Sequence, residues 1–582
     1  MKKIFPWYFA ISCLGYVPIV CDITLKLIRG ENISIWLTFA MSLIVCLLIF
    51  LISYNTRQVL SLYGTGVSAF SLALKNLNKY FAVVAAAGAL VDYLLTASLM
   101  AIYFAYSLEG LLNNDHLHYS VFIACMVLLL AALLSFRKIK IHVTFIKVFF
   151  LLFVTLIFGA ILIVVIRHLD QGNIFNQISF QTLTGESRVY LEIFVILKLF
   201  SYMAVCAVGF DSMRLNSSVE IKADRYIGIY ITAIIVSVTL SAVLFLAQSL
   251  GIDPTHEDIT IYQIIHKVMG RELYSLIALV FISAAMFVCT STSFALVPAF
   301  CEELAKEKFF PTLFKNSKDD FMYLNGILLT LFFAVLVVVI TRGEIKALLE
   351  IYAIGAFIAI GIGQLSLFFS WKGKGKFPAL VGAVLSLIIV VIFSFAKFLS
   401  GAWIVLIIIA ILSRFMIDVN NYYNKVDKEL ALARDGALHK LRTRNVSIVI
   451  ITDIDKGIVP AVRYAQAISP DMRAVYVSGG EDNEKTLLED WEYYFPEIPL
   501  VVLKDEKKNN VIIPIMNYIK HTRKEQSQGI VTVVIPEYIP QSAFYSLFHR
   551  NYAFILRVIL GFKKGIVTTG VPYWSEKNDN RN

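Results

Sequence analysis

Most of the first 420 residues form long apolar runs broken by short polar segments, and few of those runs show an amphipathic period. An apolar run of about 18 residues or more is long enough to cross a bilayer as a helix. Such runs begin near Ile4, Ile35, Tyr80, Tyr119, Ile141, Tyr190, Tyr226, Leu273, Met322, Lys346, Pro378 and Gly401, which predicts twelve spans. Lysine and arginine should collect in the cytoplasmic loops. They cluster at Lys2 and Lys3, at Arg57, Lys75 and Lys79, at Arg137, Lys138 and Lys140, and at Arg214, Lys222 and Arg225. The series continues through Lys306 to Lys318 and Lys372 to Lys376, whereas Asn113 to His118 has no cation. This alternation predicts cytoplasmic N- and C-termini. The first run continues to about Leu27 without a small-residue cleavage site and reads as span one rather than a signal peptide.

The pattern changes after the last span. Residues 1–418 read as the transmembrane domain, 419–444 as a charged linker, and 445–582 as a cytoplasmic α/β domain. In that last part, short β-branched strands are expected at Val446–Ile451, Arg473–Val477, Leu500–Leu503, Ile530–Ile535 and Gly565–Thr569. Helical stretches separate them near Pro460–Ile468, Glu484–Tyr494, Val511–Lys524 and Ser542–Leu560, and alternation of this kind predicts a doubly wound parallel sheet.

Composition agrees with a membrane protein. Hydrophobic residues make up 58% of the chain and charged residues 16%, with a mean hydropathy of +0.73. The net charge of +10 is accounted for mostly by loop cations facing membrane lipid, so a nucleic-acid partner is not expected. The seven cysteines are irregularly spaced with no C-x-x-C pair, and the nine histidines are scattered, which argues against a metal site or a cofactor. No nucleophile–base pair or phosphate loop survives inspection, so an enzyme is not expected. Gly64-Thr65-Gly66-Val67-Ser68-Ala69 fits G-x-G-x-x-A, but it follows a membrane span rather than a β-strand and is rejected as a nucleotide site.

The chemistry lies inside the spans. Asp92 and Thr96 place a carboxylate and a hydroxyl one helical turn apart in an apolar run, and an ionisable residue at that depth is a functional candidate. Local roles compete with this reading. Asp92 can accept hydrogen bonds from a neighbouring helix, Thr96 can bond the carbonyl of Asp92, and Asp211 can cap a helix before Ser212 and Met213. Pro18 is placed to disturb span one.

Several stretches together resemble the amino acid–polyamine–organocation superfamily, and over the whole length the KUP/KimA-type potassium–proton symporters. Tyr63 to Phe70 is similar to Y-P-x-G-G-G-x-Y, and Asp92-Tyr93-Leu94-Leu95-Thr96 to D-Y-x-L-T. Val208-Gly209-Phe210-Asp211 falls on T-G-V-E. Leu304 to Pro311, followed by Asn325-Gly326, is similar to L-A-R-D-G-F-L-P and N-G. Leu348 to Gly355 falls on L-I-P-L-Y-A-V-G, and Val531 to Pro540 and Val571-Pro572-Tyr573 resemble the family's cytoplasmic domain.

The resemblance implies a polytopic helical protein with a LeuT-like 5+5 inverted-repeat core and helices one and six interrupted at the midplane. It further implies a bacterial cytoplasmic membrane, potassium and protons as transported ions, and a cation site of Tyr16, Asp92, Thr96, Asp211 and Tyr352. For the α/β domain it implies a universal-stress-like fold, a homodimer contact and a cyclic dinucleotide regulator; Arg463, His549, Arg550 and Arg557 are candidates for a basic patch there, with solvated surface charge the commoner explanation. Two ligand positions depart from the pattern, because the helix-one acid falls at Phe9 and the helix-six threonine at Val208, and Asp22 is a substitute carboxylate to weigh. Three readings therefore stand: potassium–proton import, an amino acid permease of the same fold, and a transport-defective sensor.

Overall fold

The structure is a computed structural model. It describes residues 7–31, 33–64, 66–112, 119–136, 154–155, 158–159, 162–163, 186–210, 225–252, 259–269, 272–315, 320–370, 376–396, 402–430, 445–478, 481–504, 512–525, 530–539, 552–563 and 565–574. The chain forms two compact units, Met1–Ala431 and Leu432–Asn582.

The first unit is helical. Its elements are α1 (Trp7–Gly30), α2 (Ile35–Tyr63), α3 (Ala69–Asn76), α4 (Lys79–Leu112), α5 (Ser120–Phe136), α6 (Glu186–Ala204), α7 (Arg225–Ser249), α8 (Thr260–Met269), α9 (Glu272–Lys306), α10 (Asp320–Thr341), α11 (Ile345–Ser370), α12 (Lys376–Ala396) and α13 (Ala402–Leu430). A 3-10 segment, Val205–Phe210, continues α6. Among the described residues ten helices are long and apolar enough to cross a membrane. The run from Tyr119 folds as the shorter apolar helix α5, and the run expected from Ile141 is described only at residues 154–155, 158–159 and 162–163. Two short helices, α3 and α8, were not anticipated from the hydropathy pattern.

Burial sorts the helices into a centre and a rim. Within its most apolar window α4 is 94% buried and α1 78%, against 33% for α2 and 28% for α10. The rim helices present large apolar side chains outward, among them Leu47 of α2, Phe122 of α5, Phe332 of α10 and Phe395 of α12, as surfaces against lipid do. The centre is where carboxylates and hydroxyls can be shielded from lipid. Small residues make that centre tight. At Gly88 on α4 an added Cβ would stand 2.7 Å from the carbonyl oxygen of Gly355 on α11, so the two helices touch backbone to backbone.

The expected interruption of helix one is not present. α1 runs unbroken from Trp7 to Gly30 with Pro18 inside it. A single proline removes one hydrogen bond and crowds one carbonyl, which neighbouring helices can accommodate without ending the helix. Helix six does change form where the resemblance placed its break, tightening to 3-10 geometry over Val205–Phe210.

The second unit is an α/β domain: β1 (Asn445–Ile451), α14 (Ile458–Ile468), β2 (Asp471–Ser478), α15 (Glu481–Tyr494), β3 (Leu500–Lys504), α16 (Ile512–Glu525), β4 (Ile530–Ile539), α17 (Tyr552–Gly561) and β5 (Ile566–Trp574). The five strands form one sheet in the order β3-β2-β1-β4-β5, all pairs parallel. Both faces are covered. Val449 and Ile451 pack with α14 and α15, while Val446, Ile448 and Ile450 pack with α16 and α17. That explains the near-continuous apolar run of β1, a strand buried on both sides. β1 pairs β4 only as far as Val534, so Pro536, two residues on, removes no ladder bond to β1.

Candidate functional site

Three central helices bring four side chains together. Tyr16 comes from α1, Asp92 and Thr96 from successive turns of α4, and Tyr352 from α11. The Tyr352 hydroxyl lies 2.8 Å from that of Tyr16, and the Tyr16 hydroxyl lies 3.2 Å from Thr96 Oγ1. Thr96 Oγ1 donates to Asp92 Oδ1 at 3.3 Å. The two tyrosine rings stack at 5.6 Å with an interplanar angle of 17°. Tyr16, Asp92 and Tyr352 are buried and Thr96 half-buried.

The geometry follows from local sequence. A spacing of four residues puts Thr96 directly over Asp92 on one face of α4. Gly88 and Gly355 lie one turn from Asp92 and Tyr352, and the backbone contact they permit brings the α11 phenol within reach of the α4 face. The Thr96 hydroxyl bonds the Asp92 carboxylate rather than the backbone carbonyl considered in the sequence reading.

Chemically, the four side chains converge one carboxylate and three hydroxyls. Hard oxygens of this kind suit a cation that sheds part of its water shell, and a continuous chain of hydroxyls orients and polarises the carboxylate at its end. Among the described residues no cluster of histidine, cysteine, aspartate or glutamate is arranged to hold a metal ion.

The remaining candidates fall elsewhere. Asp211 lies outside the described residues. Val208 is buried in the 3-10 segment and brings no side-chain oxygen. That segment packs tightly on α1, since a Cβ at Gly209 would stand 3.0 Å from Cys13 Cα. Asp22 does not substitute for the missing helix-one acid. It accepts a hydrogen bond from the Tyr103 hydroxyl at 2.5 Å and one from the Thr260 backbone N–H at 3.0 Å, at the start of α8. Tyr103 is eleven residues along α4 from Asp92, about 16 Å by helical rise, so Asp22 serves a different level of the bundle. In the α/β domain Arg557 pairs with Glu537, and His549 and Arg550 lie outside the described residues.

Two features escaped the sequence reading. Glu303 on α9 accepts from both Oγ and N–H of Ser68, at 2.8 and 3.4 Å, which ties the N-terminus of α3 to α9. Glu350 on α11 is buried at 4% exposure and accepts from the Tyr202 hydroxyl of α6. Its signal in the sequence is a carboxylate inside an apolar run, the criterion that singled out Asp92.

Two family models match the chain, that of the amino acid permeases over residues 23–429 and that of the KimA potassium transporter C-terminal domain over residues 442–573. Potassium transporter KimA of Bacillus subtilis (strain 168) is 24% identical over 583 residues, covering 98% of this chain and 94% of that protein. Among solved structures, the crystal structure of a mutant manganese transporter of Eremococcus coleocola is 13% identical, with a TM-score of 0.39 over 73% of this chain and 95% of that one. At that score the likeness carries no weight for fold or substrate.

Proposed function

This chain belongs to the amino acid permease family, and from that premise we propose that it is a secondary transporter importing potassium coupled to protons. The observation that carries the reading is the connected oxygen set of Tyr16, Asp92, Thr96 and Tyr352, buried on three central helices. It is supported by the full-length similarity to a protein named as a potassium transporter. In the proposed site Asp92 supplies the charge that compensates the cation, and Thr96 and the two tyrosines replace water oxygens. Asp211 is the protonatable partner in this reading. The inverted-repeat core, the bacterial cytoplasmic membrane, and cytoplasmic termini belong to the same reading. The universal-stress-like α/β domain is its regulatory part, with self-pairing and an anionic cyclic dinucleotide as the interactions to test.

One observation favours a second reading, an amino acid permease. Phe9 and Val208 stand where two oxygen ligands were expected, and a half-helix backbone can bind a substrate carboxylate without them.

Rubidium uptake in a potassium-transport-deficient bacterium expressing this chain distinguishes the two. Uptake by the wild type that falls by at least about a hundredfold in Asp92→Asn supports the cation site, since a lost charge partner costs on the order of 3 kcal/mol. Absence of uptake by a protein that is folded and inserted in the membrane overturns the potassium reading, and uptake of labelled amino acids then replaces it.

A further inference from the structure

A second polar place lies inside the membrane part, away from the cation site. Asn55 of α2, Gln364 of α11 and Gly382 of α12 meet about 9–12 Å from the nearer ends of their helices by helical rise. Gln364 is twelve residues along α11 from Tyr352, about 18 Å. Asn55 is 2% and Gln364 4% exposed. A buried amide in a span has to be satisfied by other polar groups, because lipid supplies none.

The donors of Asn55 are accounted for and its acceptor is not. Asn55 Nδ2 donates to Gln364 Oε1 at 3.1 Å and to the Pro378 carbonyl at 3.2 Å. Turning the amide over would set its oxygen against two acceptors, so these bonds fix which end is nitrogen. That leaves Asn55 Oδ1 buried and, among the described residues, without a donor. Gly382 makes room for the pair, since a Cβ there would stand 1.6 Å from Gln364 Oε1 and 3.1 Å from Asn55 Nδ2.

Beside the pair is a cavity of about 10 Å³, with Asn55, Thr56 and Gln364 on its polar side and Ile52, Val59 and Leu367 on its apolar side. A cavity of about that volume holds one water where two to four polar partners face it, and a purely apolar one stays dry. Gln58 Oε1, three residues farther along α2, and Ser386 Oγ, four residues beyond Gly382 on α12, are two more buried polar atoms without a partner among the described residues. The seam between these helices therefore carries more acceptors than its own donors satisfy.

We propose that this cavity is a binding site for one water molecule, which donates to Asn55 Oδ1, exchanges a second hydrogen bond with the Thr56 hydroxyl and accepts from the Gln364 amide. The occupant has to be a donor of water's size, because the atom it serves is a carbonyl oxygen. A dehydrated monovalent cation has a similar size, but the lining brings no charge to offset it, and an uncompensated charge in such surroundings is far more costly than a neutral molecule. Bound there, the water adds a bridge between α2 and α11 to the direct contact of the two amides. The site is independent of which solute the chain carries.

The test uses the full chain in lipid nanodiscs. Cryo-electron microscopy at a resolution that shows ordered water should reveal a peak in the cavity at about 2.7–3.2 Å from Asn55 Oδ1, equally strong in potassium and in rubidium buffer. A peak that strengthens in rubidium overturns the proposal in favour of a cation, and a map with ordered water elsewhere but none here overturns it outright. Radiolytic footprinting gives a second readout, because hydroxyl radicals formed from a bound water label the side chains beside it. Ile52 and Leu367, at 1% and 0% exposure, line the cavity, and Ile49 of α2, at 0%, does not. Labelling of Ile52 and Leu367 should exceed that of Ile49 at least about threefold. Thr56→Val removes one partner of the water and leaves the bonds of Asn55 to Gln364 and Pro378 in place, so the excess should fall to the level of Ile49. Labelling without an excess in the wild type, or an excess unchanged in Thr56→Val, overturns the proposal. Should Thr56→Val fail to fold, the wild-type map decides.

Discussion

At the scale of single residues, the candidate site is a chain of hydrogen bonds whose links can be cut one at a time. Tyr352→Phe keeps the ring stack with Tyr16 and removes only the 2.8 Å hydroxyl contact. One neutral hydrogen bond is worth about 1 kcal/mol, so the rubidium concentration for half-maximal uptake should rise about fivefold with no loss of folded protein. Asp22 should behave differently. Asp22→Ala removes the acceptor for Tyr103 and for the Thr260 N–H, and should cost about 1–2 kcal/mol in thermal unfolding in detergent while leaving half-saturation unchanged. A changed half-saturation would instead make Asp22 part of the cation site. A third residue stores strain. Lys308 has φ +64, a left-handed conformation, immediately after α9. The bonds from Phe309 N–H to the Leu304 carbonyl and from Lys308 N–H to the Ala305 carbonyl are those of a Schellman C-cap. The family pattern L-A-R-D-G-F-L-P places glycine there, and a side chain at positive φ costs about 1 kcal/mol. Lys308 also pairs with Asp427, an exposed contact worth under about 1 kcal/mol. Lys308→Gly should therefore raise the unfolding temperature slightly, and Lys308→Val, branched at Cβ, should lower it.

At the scale of elements, the contact between α4 and α11 decides whether a site exists. Each helix is apolar along its length, and neither hydropathy nor periodicity says which face meets which partner. Gly88 and Gly355 do, because without side chains they let the two backbones touch there. Gly88→Val places side-chain atoms into the Gly355 carbonyl and should cost about 1–3 kcal/mol through displacement of the helices. Uptake should fall along with thermal stability, and a stable protein with full uptake would show that the separation of Asp92 from Tyr352 does not matter. The strands were more legible. Five β-branched runs separated by helical stretches appear in the sequence because a parallel strand buried on both faces must be apolar throughout. Their ends were less so, since β5 extends to Trp574, beyond the Thr569 expected, along the register it shares with β4.

For the whole molecule, the division into Met1–Ala431 and Leu432–Asn582 has a thermodynamic consequence. The α/β unit has two hydrophobic layers of its own, one on each face of its sheet. Residues 432–582 expressed alone should unfold cooperatively in circular dichroism, as a domain with its own core does. A fragment without a sigmoidal transition would mean that the unit needs the membrane part.

The membrane character, most of the spans, the change to alternating strands and helices, and Asp92 with Thr96 were all legible in the amino-acid order. Each depends on composition within one segment, and segment-scale hydrophobicity and local spacing act before any tertiary contact forms. Tyr16 and Tyr352 came only from resemblance, because two tyrosines among 28 carry no signal of their own. That the Tyr16 hydroxyl meets Thr96 and the Tyr352 hydroxyl meets that of Tyr16 was decided by packing, over separations of 80 and 336 residues. The same holds for Asp22 on Thr260, for the unbroken α1 through Pro18, and for Glu350 against Tyr202. A carboxylate in an apolar run announces that it must find a partner, since burying it alone is too costly. Which partner it finds depends on which helices lie side by side, and that depends on small residues whose effect appears only when two surfaces are brought together.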